Sequence, residues 1–187
     1  MFTDIFQLVL RIGFLLLGTV LILRVWTHAV RLHPFNPYAQ AILRLSNWLV
    51  QPIQRLVPHG RLADWPALFA CWLVALSYLL LSWLVLTGSM PPFAWMASIL
   101  PVAALTVLEW TFNVVLWVTL IQAVLSWVNP MAPVMPVVQM LTAPLLNPIR
   151  RVLPHLGGID FSPLILLILA QIMMRVVQRM VYALAGV

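Results

Sequence analysis

The sequence predicts an all-α polytopic membrane helix bundle, with four spans arranged as two tandem span–amphipathic helix–span repeats. Three observations predict it. First, the 187 residues are 64% apolar and only 7% charged, where soluble domains carry about 25% charged residues. A soluble chain of this size could not cover its surface. Second, four apolar stretches are long enough to cross roughly 30 Å of hydrocarbon, which takes about 20 helical residues. Third, the stretch Pro52-Ile53-Gln54-Arg55-Leu56-Val57-Pro58-His59, ending at Asp64, returns as Pro148-Ile149-Arg150-Arg151-Val152-Leu153-Pro154-His155, ending at Asp160. Six of thirteen positions are identical without a gap. Such repeats decide architecture before any single element does.

The first span is expected over Asp4–Trp26. It reads as permanent rather than as a cleaved leader, because no positive charge precedes Arg11 and no small-residue cleavage site follows the apolar run. The second span is Trp65–Thr87, the third Ala104–Val128 and the fourth Phe161–Ala183. Trp26, Trp65, Trp83, Trp110 and Trp127 mark span ends, where an apolar ring with one N–H donor is at ease. The fourth span begins Ser162-Pro163, a serine cap followed by proline at the first helical position; Trp65-Pro66 opens the second similarly. The apolar stretch Gly88–Ala103 holds Pro91, Pro92 and Pro101. A fifth span there is possible, but a shift of 96 residues lays span one on span three and span two on span four. The expected division is therefore residues 1–87, an interfacial or partly re-entrant connector at 88–103, and residues 104–187.

Between the spans of each copy lies a segment with helical periodicity. Gln40, Arg44, Asn47, Gln51 and Arg55 form one face, and Ile42, Leu45, Leu49, Ile53 and Leu56 the other. In the second copy Val138, Leu141, Leu145, Ile149 and Val152 oppose Gln139, Thr142, Asn147, Arg150 and Arg151. Such helices lie in the membrane interface with arginines toward headgroups, or pack on the end of the bundle. Pro52, Pro144 and Pro148 lack the N–H of the helical ladder and predict kinks or breaks.

All ten basic residues are arginine. Arg24, Arg31, Arg44, Arg55 and Arg61 fall in the first inter-span loop, Arg150 and Arg151 in the third. With four spans both loops share one side, the cytoplasm, and the termini point outward. Orientation and anionic lipid headgroups account for the basic charge; nucleic acid is not expected as a partner. The lone Cys71 excludes an intrachain disulfide.

The residues resemble the YggT/YlmG family of small bacterial and plastid membrane proteins. The resemblance rests on Leu23-Arg24-Val25-Trp26, Asn36-Pro37 and Ser126-Trp127. Above all it rests on Pro144-Leu145-Leu146-Asn147-Pro148-Ile149-Arg150-Arg151-Val152-Leu153-Pro154 followed by Gly157-Gly158-Ile159-Asp160-Phe161-Ser162-Pro163. The first copy departs from this pattern at Gln54 and at Gly60-Arg61-Leu62-Ala63, which points to the second copy as the performing one. The resemblance implies non-enzymatic factors of a bacterial inner membrane. They are linked to osmotic or ion stress, to division and envelope organisation, and in plastids to nucleoid distribution and cytochrome assembly.

No catalytic constellation is visible. The acids Asp4, Asp64, Glu109 and Asp160 are scattered, with no phosphate loop and no paired metal-ligand spacing on a helix. No cofactor or metal is expected, although His59 and His155, equivalent by repeat, could face each other. The residues singled out are those of the repeated motif: Pro52, Arg55, Pro58 and Asp64, then Pro148, Arg150, Arg151, Pro154, Gly157, Gly158 and Asp160. Their guanidinium forks suit an anion, a lipid headgroup or a protein partner. A second group, Arg11, Glu109 and Arg175, lies at similar depth in three spans. There Glu109 is expected to bridge one of the arginines, with separate snorkelling as the competing outcome. The functional expectation is a membrane scaffold or assembly factor, with membrane-protein partners or further copies of the chain; the alternative is a small channel or carrier.

Overall fold

The computed structural model describes residues 2–55, 57, 60, 63–152 and 160–185. These form six helices: α1 (Phe2–Ala29), α2 (Pro37–Gln54), α3 (Trp65–Thr87), α4 (Phe93–Val128), α5 (Met135–Val152) and α6 (Ser162–Ala185). Among the described residues there is no strand. Helices α1, α3 and α6 and residues 98–128 of α4 are long and apolar enough to cross a membrane. The chain is thus a multi-pass membrane helix bundle. Large apolar side chains such as Phe6, Leu16, Leu84, Trp117 and Ile172 stay exposed on the outside of the long helices, where a bilayer would solvate them.

Helix α1 packs on α3 and α4 on α6, while α4 also meets α1 and α3. The short helices follow the same pairing: α2 lies on α1 and α3, α5 on α4 and α6. Small residues make the close approaches. Ala67, Ala70, Cys71 and Ala75 are fully buried along one face of α3. At Gly18 of α1 an added Cβ would sit 2.2 Å from Cε3 of Trp110, so the indole of α4 lies directly on the α1 backbone. Without solvent to drive association, such contacts supply much of what holds spans together. Tyr78 completes the layer, with ring centroids 6.1 Å from Trp110 and 5.7 Å from Phe14.

Several boundaries have local causes. Asn36 caps α2 by accepting the Tyr38 N–H at 2.9 Å, and Pro37 then costs nothing at a position whose N–H has no helical partner. Helix α3 ends at Gly88, whose φ of 65° is left-handed, the usual conformation of a glycine just past a helix end. The α6 cap is Asp160, which stands two residues before the expected serine cap. Its Oδ1 accepts the orphan N–H of Ser162 at 2.9 Å.

Three further expectations are corrected. The connector shrinks to Gly88–Pro92, because α4 begins at Phe93 and runs unbroken past Pro101. Packing offsets the proline: Ile99, Val102 and Ala103 around it are buried. Of the kinks or breaks expected at Pro52, Pro144 and Pro148, the breaks do not occur: α2 and α5 run through all three. All three prolines are exposed, so the carbonyls they leave without a donor can be solvated. Finally, the buried strip of each short helix is shifted from the apolar face read in the sequence. Ser46 with Val50, and Thr142 with Leu146, are the deepest positions, while Leu45 is 62% exposed. Polar Ser46 and Thr142 can go inside because each finds a hydrogen-bond partner there.

Candidate functional site: two arginine–aspartate pairs at one end of the bundle

Arg24 lies within the last two turns of α1 and is buried. Its Nε donates to Asp64 Oδ2 at 2.8 Å. Its Nη1 donates to Ser46 Oγ at 2.9 Å and to Asn47 Oδ1 at 2.7 Å. Asp64 turns its other oxygen, Oδ1, to the Ala67 N–H at 3.2 Å and so caps α3. One guanidinium therefore ties α1, α2 and α3 together. Counted with the loop arginines in the sequence, Arg24 is instead buried within α1. The available signal was its position inside the apolar run Leu21–Trp26, where an arginine must find a partner.

The second half repeats the division of labour with a different arginine. Asp160 Oδ1 caps α6, and Oδ2 accepts Nε and Nη2 of Arg150 at 2.9 and 2.7 Å. Arg150 comes from α5, not from the preceding long helix. Where α1 carries Arg24, the matching contact from α4 is made by Gln122, whose Oε1 accepts the Thr142 hydroxyl. Ser46 and Thr142 are 96 positions apart, the offset of the repeated motif, as are Gln54 and Arg150. Arginine and glutamine have traded places between the two halves.

The trade decides exposure. The Arg24 and Asp64 side chains are 4% and 5% exposed; those of Arg150 and Asp160 are 40% and 44% exposed. Burial alone would raise the Asp160 carboxyl, but hydrogen bonds from Ser162 and the Arg150 guanidinium outweigh it and hold the group below its ordinary value. The Arg150–Asp160 pair closes one end of a groove of about 590 Å³ between α4 and α6. Its walls are largely apolar, with Leu120, Val124, Trp127, Phe161 and Leu164. A charged end and an apolar length suit an amphiphile. Arg151 is exposed beside it.

Of the other motif residues, Pro52 and Pro148 lie exposed within α2 and α5, and Arg55 is exposed at the end of α2. Pro58, Pro154, Gly157 and Gly158 lie outside the described residues, as do His59 and His155. The intramembrane group is only partly brought together. Arg11 and Glu109 line one cavity, but among the described residues no ion pair joins Glu109 to Arg11 or Arg175. Glu109 instead accepts Gln178 Nε2 at 2.8 Å. Val177 is buried, and Arg175, two residues earlier, falls about 200° around a helix of 3.6 residues per turn. It is exposed and points away from α4's partner face.

The CCB3/YggT family model matches residues 101–181. An uncharacterized protein of the proC 3′ region in Vibrio alginolyticus is 34% identical over 151 residues, 80% of each chain. The protein YggT of Escherichia coli K12 is 32% identical over 151 residues, covering 80% of this chain and 77% of that one. PA0392 of Pseudomonas aeruginosa is 29% identical over 147 residues, covering 78% and 74%. No solved structure matches. Relatives more than 30% identical over about four-fifths of the chain place it in the YggT family of membrane proteins.

Proposed function

We propose that the chain is a non-enzymatic scaffold or assembly factor of the bacterial inner membrane, built from two copies of one span–short helix–span unit. Its short helices α2 and α5 face the cytoplasm and lie against the lipid interface. The first copy is the structural lock and the second the docking site. The observation that carries this reading is the contrast between the buried Arg24–Asp64 pair and the exposed Arg150–Asp160 pair. A guanidinium has five N–H donors, and Arg150 spends only two on Asp160. With Arg151 alongside, the remaining donors can take a phosphate, and the apolar groove behind them an acyl chain. On α2, Leu45 and Trp48 are 62% and 64% exposed, next to the exposed Arg44 and Arg55. That is the pattern of a helix lying in an interface.

The test is retention of anionic lipid and of protein partners. In native mass spectrometry of protein extracted from bilayers containing phosphatidylglycerol, Arg150→Gln/Arg151→Gln should lose most of the bound anionic lipid that the unaltered chain keeps. Arg55→Gln should change little. The double variant should still insert, yet bring fewer proteins down from native membranes. Unchanged lipid and partners in the double variant, or equal losses from Arg55→Gln, would contradict the division into lock and docking site.

One observation favours a small channel or carrier instead. A polar cavity opens at the end of the bundle away from α2 and α5, lined by Arg11, Ser82, Glu109, Asn113 and Gln178. Deeper in, Trp110 lies on Gly18, followed by buried Leu21, Val114 and Val118. This packing argues against passage through one copy and favours the scaffold.

A further inference from the structure

We propose that this outer polar cavity is a binding site for a small zwitterion, a molecule carrying an anionic group and an ammonium a few bonds apart. All four long helices contribute to it, and its volume is about 280 Å³. Liquid water takes about 30 Å³ per molecule, so the cavity has room for a solute of modest size and not for a large one. The site goes beyond the scaffold reading and does not depend on it.

Three groups argue for an occupant. The Arg11 guanidinium, one carboxylate oxygen of Glu109 and the Asn113 amide all border the cavity. None of the three has a hydrogen-bond partner within the protein among the described residues. Other polar groups of the lining are engaged within the protein. Glu109 Oε1 is fixed by Gln178 at 2.8 Å, and the Thr106 hydroxyl donates to the Val102 carbonyl at 2.9 Å. Glu109 is therefore oriented, with its second oxygen left over. Asn113 sits one helical turn further along the same face of α4.

Charge selects the ligand class. Arg11 and Glu109 stand on different helices, share the cavity and do not pair. A lone anion placed between them is repelled by the carboxylate, and a lone cation by the guanidinium. A zwitterion satisfies both: its anion takes the arginine fork and its ammonium the free carboxylate oxygen. Charges within spans are costly unless paired or solvated, and such a ligand pairs both at once. The same chemistry is offered by a free amino acid and by a phosphatidylethanolamine headgroup entering from the bilayer.

The experiment uses the full chain in nanodiscs of phosphatidylglycerol, which carries no amine. Radiolabelled glycine, β-alanine and γ-aminobutyrate vary the charge separation of a free solute. A parallel arm adds phosphatidylethanolamine and counts it by native mass spectrometry. One of these probes should bind at one per chain. Arg11→Gln, at an exposed position that leaves the fold intact, should weaken it at least about tenfold, as expected for losing a hydrogen bond to a charged group. Glu109→Gln should do the same. Binding confined to the amino acids identifies a soluble ligand; binding confined to phosphatidylethanolamine identifies a lipid. The proposal is overturned if no probe binds, if Arg11→Gln binds as tightly as the unaltered chain, or if acetate or methylammonium alone competes as well as the zwitterion.

Discussion

Arg24→Leu is expected to destabilise the protein by about 3–5 kcal/mol, the usual cost of removing one partner from a buried ion pair. The guanidinium makes three side-chain hydrogen bonds to three different partners. Leucine fills part of the volume but removes them all. Asp64 keeps the Ala67 N–H and loses the guanidinium, in a site where the pair is almost fully shielded. Ser46 retains its bond to the Ile42 carbonyl at 2.8 Å, so the loss falls mainly on the carboxylate and Asn47. Arg24→Lys should recover only part of the stability, because an ammonium cannot reproduce the planar fork. Arg150→Leu is the matched control: the pair it breaks is solvated, and such pairs contribute about 0–1 kcal/mol. Unfolding titrations in detergent read the difference. Equal effects at positions 24 and 150 would remove the lock.

The second large effect is expected at the contact between the two halves. Gly18→Ala places a methyl group 2.2 Å from Cε3 of Trp110, with two further ring atoms at 2.6 and 2.9 Å. No side chain tolerates that approach, so α1 or the indole must move. Trp110 is held by Tyr78 and is buried, which makes the movement expensive. Overpacking of this kind costs about 1–3 kcal/mol. The interaction is specific, so it can be cancelled. Trp110→Leu alone should destabilise by leaving a cavity, but Gly18→Ala in that background should cost little further. A double-mutant cycle with strict additivity would show that Gly18 does not carry Trp110.

The spans were legible because a bilayer demands length and apolarity, and nothing subtle. Helix α3 begins and ends where Pro66 and Gly88 said it should. The start of α4 was not legible. Three prolines between Gly88 and Ala103 read locally as a connector, and only the burial of Val102 and Ala103 makes Pro101 acceptable inside a helix. The Arg150–Asp160 site was half visible. Arg150 and Asp160 were singled out and meet, since the motif string is dense in chemistry. Arg24 was hidden because charge counting near a span end does not distinguish an arginine facing headgroups from one facing a carboxylate forty residues on. The exchange of Arg24 and Gln54 for Gln122 and Arg150 was not legible in full, because the 96-residue offset lays Gln54 on Arg150 but Arg24 on Leu120 and Gln122 on Trp26. Glu109 went to Gln178 rather than to Arg175 for a reason of helix phase, which spacing within one span cannot give.

The central claim is that α2 and α5 share one surface, the cytoplasmic one. Sidedness can be measured directly with a topology reporter, or a cysteine probed from one side, at Arg44 and again at Arg151. Both arginines are exposed on the short helices, so substitution there leaves the core alone. Four crossings predict the same inner-side signal at both positions, with positions near the two termini reporting the outer side. Opposite signals at Arg44 and Arg151 would require another crossing between them, and the paired cytoplasmic face on which the scaffold reading rests would not exist.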